Sequence, residues 1–292
     1  MPVSAPEVEG YYDADSGTVS YLLLDPASRQ CALIDSVLDY DHKSGRTATR
    51  SADRLVARVR ALGASVAWIL ETHVHADHLS AAPYLKAQLG GRLGIGRHIT
   101  RVQQVFGKLF NAGAMACDGS PFDHLFDDDE GFDVGALRCR ALHTPGHTPA
   151  CISYVVGAGA QTVAFVGDTL FMPDYGSARC DFPGGDAATL YRSIRRVLAL
   201  PPQTRLYMCH DYLPGGRELR YVSTVAEQRA DNIHVRDGVG EADFVAMRTA
   251  RDATLAMPAL ILPAVQVNMR AGQLPEPEDN GVRYLKIPLD AA

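Results

Sequence analysis

The sequence predicts an alternating α/β fold that carries a metal centre at its strand ends. Three observations support this reading. Apolar, β-like runs alternate with helix-like periodicity from residue 19 onward. Four polar clusters each follow such a run. One of them, Thr72-His73-Val74-His75-Ala76-Asp77-His78, places four metal-compatible side chains within six residues.

The elements follow in order. Val19–Leu24 and Cys31–Asp35 read as strands of a hairpin, joined through Asp25-Pro26. Residues 39–50 are polar and read as a loop near the site entrance. Ala52, Leu55, Val56, Val59 and Leu62 recur at helical spacing, with Ser51 as N-cap and Gly63 as the stop. Val66–Leu70 is a buried strand, and the Thr72–His78 cluster starts two residues beyond its end. Ala81–Leu89 reads as a helix and residues 94–98 as a short strand. Residues 110–130 read as a long polar insert. Its acids Asp127-Asp128-Asp129-Glu130 lack the ligand spacing of a calcium loop and read as a solvated turn. Strands over Leu137–Leu142, Val163–Val166 and Leu206–Met208 lead to His143-Thr144-Pro145-Gly146-His147, Gly167-Asp168 and Cys209-His210-Asp211 in turn, and Cys151–Val156 is a further strand between the first two. Leu190–Leu200 is a basic amphipathic helix. Helices are expected near 218–235 and 240–252. A proline-rich tail follows, with an extended strand over Val282–Ile287. The whole chain, 1–292, reads as one domain with a helical and extended C-terminal appendix from about 216–292.

Composition narrows the function classes. The chain has 292 residues, 47% hydrophobic and 21% charged, with a net charge of -6. Scattered basic residues argue against an extended nucleic-acid or anionic-membrane surface. No run approaches the length of a membrane-spanning helix. The N-terminus, Met1-Pro2-Val3-Ser4, lacks the form of a secretion signal. Six cysteines without a CxxC unit read as free thiols in a reducing compartment, the cytoplasm.

The chemistry resides in the strand-end clusters. A short loop can fold His73, His75, Asp77 and His78 inward together, whereas a regular helix would spread them. His147 follows a turn restricted by Pro145 and Gly146. Asp168 follows an apolar strand, where a carboxylate needs a cationic partner. His210 also ends a strand. His42, His98, His124, His143 and His234 lack this context. The ligand set suits two zinc ions bridged by Asp168, which would activate water. It equally suits one ferrous ion on two histidines and a carboxylate, with positions left for oxygen and substrate. The residues alone therefore reach a metalloenzyme and leave hydrolase and oxygenase open.

These motifs, with Thr144-Pro145-Gly146-His147-Thr148, Val166-Gly167-Asp168-Thr169-Leu170-Phe171 and Cys209-His210-Asp211-Tyr212, resemble the metallo-β-lactamase superfamily in its order, over roughly residues 12–215. The resemblance implies an αββα sandwich, two mixed β-sheets between helices. With Leu79-Ser80 and Arg179-Cys180-Asp181-Phe182, the chain looks most like the persulfide dioxygenase branch, close to glyoxalase II. That resemblance implies one Fe(II) on His73, His147 and Asp168. His75, Asp77, His78 and His210 would shape the surroundings or hold a second metal. The implied substrates are glutathione persulfide and O2, giving sulfite and glutathione, in a possible homodimer. Arg179 and Tyr212, and more weakly Arg217 and Arg220, are the candidates for holding the glutathione. The branch often has a cysteine two residues before its arginine. Here that position is Ser177, so no role of that cysteine carries over. The competing expectations are a dizinc hydroxyacylglutathione thioesterase and a non-catalytic metal or sulfur sensor.

Overall fold

A computed structural model describes residues 5–113 and 115–290. Residues 1–4, which bear on the expected lack of a secretion signal, residue 114 of the polar insert, and residues 291–292 of the expected C-terminal appendix lie outside the described residues.

β1 (Glu7–Tyr12), β2 (Val19–Leu24) and β3 (Gln30–Ile34) form an antiparallel meander. A small hairpin of β4 (Val37–Asp41) and β5 (Arg46–Ala48) comes next, then α1 (Arg50–Ala61). β6 (Ser65–Leu70) pairs parallel with β3. β7 (Leu79–Ser80), beyond the histidine cluster, pairs with β4. The first half closes with α2 (Ala82–Leu89), β8 (Arg92–Gly96), α3 (Ile99–Leu109) and β9 (His124–Phe126). The second half runs through β10 (Glu130–Val134), β11 (Leu137–His143), β12 (Ile152–Val156), β13 (Val163–Phe165), α4 (Ala187–Val197) and β14 (Arg205–Tyr207). β15 (Val222–Thr224), α5 (Val225–Asp231), α6 (Glu241–Asp252) and α7 (Ile261–Asn268) follow.

Two six-stranded mixed sheets result, ordered β1-β2-β3-β6-β8-β9 and β10 through β15. Strand alternation builds the layers between and around them. In β2, Tyr21 and Leu23 face the other sheet, where they join Trp68, Phe126, Tyr154 and Phe165. Leu22 and Leu24 face the opposite way, against Leu55 and Val59 of α1, Leu85 of α2, Phe106 of α3 and Val265 of α7. The second sheet turns Val155, Ala164 and Leu206 onto Leu190 and Ile194 of α4 and Phe244 of α6. The architecture is an αββα sandwich.

Several local expectations change. Residues 39–50 are not a plain loop, because β4 and β5 pair with each other and β4 also pairs with β7. Ser51 does not cap α1. Thr49 occupies the cap position, and the Ser51 hydroxyl bonds Asp39 Oδ1 at 3.0 Å. The polar insert carries β9 and the start of β10, and α3 precedes it. The acidic turn is organised by salt bridges: Arg97 to Asp127, Arg196 to Asp128 and Arg140 to Asp129. Residues 222–224 form a strand rather than helix. No strand forms over 282–287; the Gln266 side chain bonds the backbone of Lys286 instead.

The C-terminal segment reaches the histidine cluster directly. Asn268, at the end of α7, donates from Nδ2 to the carbonyls of His75 (2.9 Å) and His78 (2.8 Å). Its Oδ1 accepts from the Ser80 amide at 2.8 Å. All three partners are buried. Gln103 of α3 secures the same region by donating to the Met269 carbonyl. Asn268→Ala would leave two carbonyls and one amide without partners. Urea denaturation should show a loss of about 2–3 kcal/mol; a change below about 0.5 kcal/mol would remove this role from Asn268.

Candidate metal centre

Two irregular turns deliver the distant members of the site. Gly146 (φ +132°) precedes His147, and a Cβ there would lie 2.3 Å from the backbone of Leu190 in α4. Gly167 (φ +51°) precedes Asp168, and a Cβ there would lie 2.6 Å from Thr72 Oγ1. Only glycine satisfies both conformation and space at these positions. His73 lies at the end of β6, where Thr72 is tied down by Asp35. The Thr72 amide and hydroxyl donate to the two Asp35 oxygens at 2.7 and 2.9 Å.

His73, His147 and Asp168 come together with their ligand atoms within 4.8 Å of one another. Asp168 Oδ2 lies 3.8 Å from His73 Nε2 and 3.7 Å from His147 Nε2. His147 Nδ1 is 2.8 Å from the Arg179 carbonyl; its N–H there leaves Nε2 as the donor facing the site. His73 Nε2 and Asp168 Oδ1 are buried without a hydrogen-bond partner. Burial, reinforced by His75 and His147, holds the His73 pKa well below the usual histidine range. A neutral imidazole is the form that ligates a metal. The trio therefore fits a metal ion.

The remaining sequence candidates surround it. His75 Nε2 contacts Asp35 at 3.1 Å and Glu71 at 3.4 Å. Burial opposes charge on His75, but the two carboxylates prevail and raise its pKa well above the usual range. Asp77 accepts from Thr18 Oγ1 at 2.8 Å. Burial would push its pKa up, yet His210 and His78 hold it well below the ordinary value. His210 Nε2 lies 3.3 Å from Asp168 Oδ1. His75, Asp77 and His78 also group within 4.8 Å. His78 Nε2, His210 Nε2 and His75 Nδ1 are further buried atoms without hydrogen-bond partners.

A cavity of about 1010 Å³ opens over His73, Asp77, His147 and Asp168. The β4–β5 hairpin lines one side, while Tyr175, Arg179, Tyr212 and Arg248 line the other. Arg179 is bidentate to Asp181 and donates to the Ala256 carbonyl at 2.7 Å. Tyr212 stacks on His210 with centroids 5.4 Å apart. Arg217 is held by Asp174 and Asp211, and Arg220 by Glu227; the lining of this cavity includes neither. Asp35, Glu71 and Asn268 lie outside the residues singled out from the sequence for the site. Asp35 had a signal, a carboxylate closing an apolar strand. Asn268 had none, because its contacts span about 190 residues.

Residues 14–210 match the metallo-beta-lactamase superfamily. The chain belongs to that superfamily. It is 70% identical to a "probable metallo-hydrolase" of Burkholderia pseudomallei, over 97% of this chain and 99% of that one. It is 51% identical to a "beta-lactamase hydrolase-like protein" of Xylella fastidiosa, over 99% of this chain but 66% of that protein's length. It is 32% identical to the human mitochondrial "persulfide dioxygenase ETHE1", over 89% of this chain and 87% of the human protein. Among solved structures, ETHE1 from Myxococcus xanthus superposes with a TM-score of 0.72 at 30% identity, covering 91% of this chain and all of that one. A buried His/Asp metal site in this fold supports metal-dependent catalysis. Among the described residues, no helix is long and apolar enough to cross a membrane.

Behind the cavity wall, His234 Nδ1 accepts from the Ser177 amide at 3.1 Å. Burial, with Arg248 and Arg251 nearby, lowers its pKa to about 4. Protonation therefore favours the unfolded chain. The stability from neutral His234 is complete above about pH 6.5 and is lost as pH falls toward 4, a span of about 3 kcal/mol. His234→Asn, which keeps an acceptor for Ser177, should flatten the pH dependence of urea stability in this window. An unchanged slope would contradict the assignment.

Proposed function

We propose that this protein is a mononuclear iron(II) dioxygenase that oxidises glutathione persulfide with O2 to sulfite and glutathione. The observation that carries the reading is the His73–His147–Asp168 trio, two imidazoles and one carboxylate converging beneath an open cavity. Such a facial set suits ferrous iron and leaves coordination positions open. The likeness to the persulfide dioxygenase ETHE1 supports the same choice.

His73, His147 and Asp168 would hold the iron. When bound there, iron would supply the electron-transfer chemistry that O2 needs. The protein's part is placement. The Arg179 carbonyl fixes the tautomer and tilt of His147. Asp35 fixes the start of the His73 loop through Thr72. Arg179 and Tyr212, on the cavity wall, would receive the polar ends of the tripeptide, Arg179 through a guanidinium oriented by Asp181. In this reading the persulfide end would point to the His73, His147 and Asp168 end of the cavity, and holding the reactants together would make their encounter effectively intramolecular.

A second reading, a dizinc hydrolase of hydroxyacylglutathione, is favoured by the unpartnered His75 Nδ1, His78 Nε2 and His210 Nε2. In that case Asp168, with His75, Asp77, His78 and His210, would help to hold a second ion, and the metals would supply activation of water for hydrolysis.

The iron(II)-loaded protein should consume O2 only when glutathione persulfide is supplied, with one iron per chain and sulfite as product. No oxygen uptake at full iron loading would sink the dioxygenase reading. Two zinc ions per chain with thioester cleavage would establish the other. Asp168→Ala should lose metal and turnover together, by at least about 100-fold in metal affinity or activity; a metal-free variant with normal turnover would remove Asp168 from the ligand set.

A further inference from the structure

Two residues beyond the stretch that matches the superfamily reach the trio through one peptide bond. The Arg179 carbonyl, 2.8 Å from His147 Nδ1, shares a planar peptide unit with the Cys180 amide. That amide donates to Asp252 Oδ2 at 2.8 Å. The plane cannot turn away from His147 without also leaving Asp252. The other oxygen, Asp252 Oδ1, accepts from Arg248 Nε at 2.9 Å and from its Nη2 at 2.5 Å. Arg248 Nη1 donates to the Ser177 carbonyl at 3.3 Å. Arg248 is 1% exposed and Asp252 7%, so the pair is buried. The two lie one turn apart at the end of α6, whose Phe244 joins Leu190 and Ile194 of α4 in one buried cluster. We propose that Arg248 and Asp252 are a positioning pair: through the 179–180 peptide they hold His147 in the form that presents an unprotonated Nε2 to the metal site.

A buried ion pair adds little net stability, because desolvation offsets its attraction. The other bonds of this pair show its task, since both end on the strap of residues 176–180. The strap is neither helix nor strand, so no regular ladder fixes its backbone. Side chains of later segments do so instead. Asn232 Nδ2 donates to the Gly176 carbonyl at 3.0 Å, and His234 Nδ1 accepts from the Ser177 amide. Of these anchors, Asp252 takes the peptide that faces His147. A histidine ring nitrogen keeps its proton where it has an acceptor, and the other nitrogen is then left to ligate. If the plane turned, Nδ1 would lose its acceptor. The proton would then be free to move to Nε2, which lies 3.7 Å from Asp168 Oδ2 and would no longer offer a lone pair. The inference rests on the trio as a metal site and on no particular reaction there.

Long-range proton–nitrogen correlations of the metal-free full chain, with isotope-labelled histidine at about pH 8, read the tautomer of His147. Signals lost in His147→Ala assign it. Two double variants are compared, Arg248→Met with Asp252→Asn and Arg248→Met with Asp252→Ala. Both remove the charges and the bond to Ser177, so neither strands a buried ion. The asparagine keeps an acceptor for the Cys180 amide and the alanine does not. Circular dichroism checks that each is folded. The wild type and the asparagine variant should carry the His147 proton on Nδ1, and the alanine variant should shift it toward Nε2. Cobalt(II), titrated into each metal-free chain, should bind the asparagine variant within about threefold of the wild type and the alanine variant at least about tenfold more weakly. An unchanged Nδ1 tautomer in the alanine variant, or equal losses in both variants, would overturn the proposal. The tautomer is read without metal. A wild type that binds no cobalt would therefore remove the metal reading, while the tautomer still decides what the pair does to His147.

Discussion

The site depends on one buried carboxylate. Asp35 is 2% exposed and sits just past the end of β3 with φ +52°. Its oxygens take the Thr72 amide, the Thr72 hydroxyl and the His75 ring. Burial would raise its pKa, but His75 and Thr72 outweigh this and keep it low. A non-glycine residue in the left-handed region is tolerated where the surroundings over-determine it. Here they do: Asp35 N donates to Leu70 O, and Ser20 Oγ donates to Asp35 O. The end of β3 thereby sets where the chain leaves β6, and with it the direction of His73.

The rest of the loop is clamped from other layers. Tyr154 OH donates to the Glu71 carbonyl, the Ile152 amide to the Thr72 carbonyl, and Asn268 to those of His75 and His78. The second sheet and the last helix thus hold one short loop that belongs to neither. Preorganisation of this kind lets several like-charged or neutral rings face one point, an arrangement that isolated side chains would avoid. His73 and His75 illustrate it. Their ring centroids are only 4.1 Å apart, yet their pKa values move in opposite directions because carboxylates contact His75.

Much of this was legible in the amino-acid order. Strands β2, β3, β6 and β11 to β14 announce themselves by apolar runs, and the candidate ligands sit where several of those runs stop. The α3 helix also carries a readable pattern, with Ile99, Val102, Gln103 and Phe106 buried at helical spacing. The β4–β5 hairpin was not readable. Its residues are polar, and its strand character comes from pairing with β7, a partner too short to show a pattern. The expected C-terminal strand had the right residue types but lacks a strand partner, being held by the side chain of Gln266. Arg179 was visible beside Asp181, whereas the grip of Asp211 on Arg217 required knowing that residues 211 and 217 fold back on each other.

Asn268 also bears on inheritance. The stretch that matches the superfamily stops at residue 210, yet the amide that holds the carbonyls of its most diagnostic loop is supplied 58 residues later. A graft, fusion or shuffled ancestor cut at that boundary would carry every ligand and still leave the loop's backbone without its clasp. For this chain, the heritable unit of the metal centre is longer than the stretch by which its relatives are recognised.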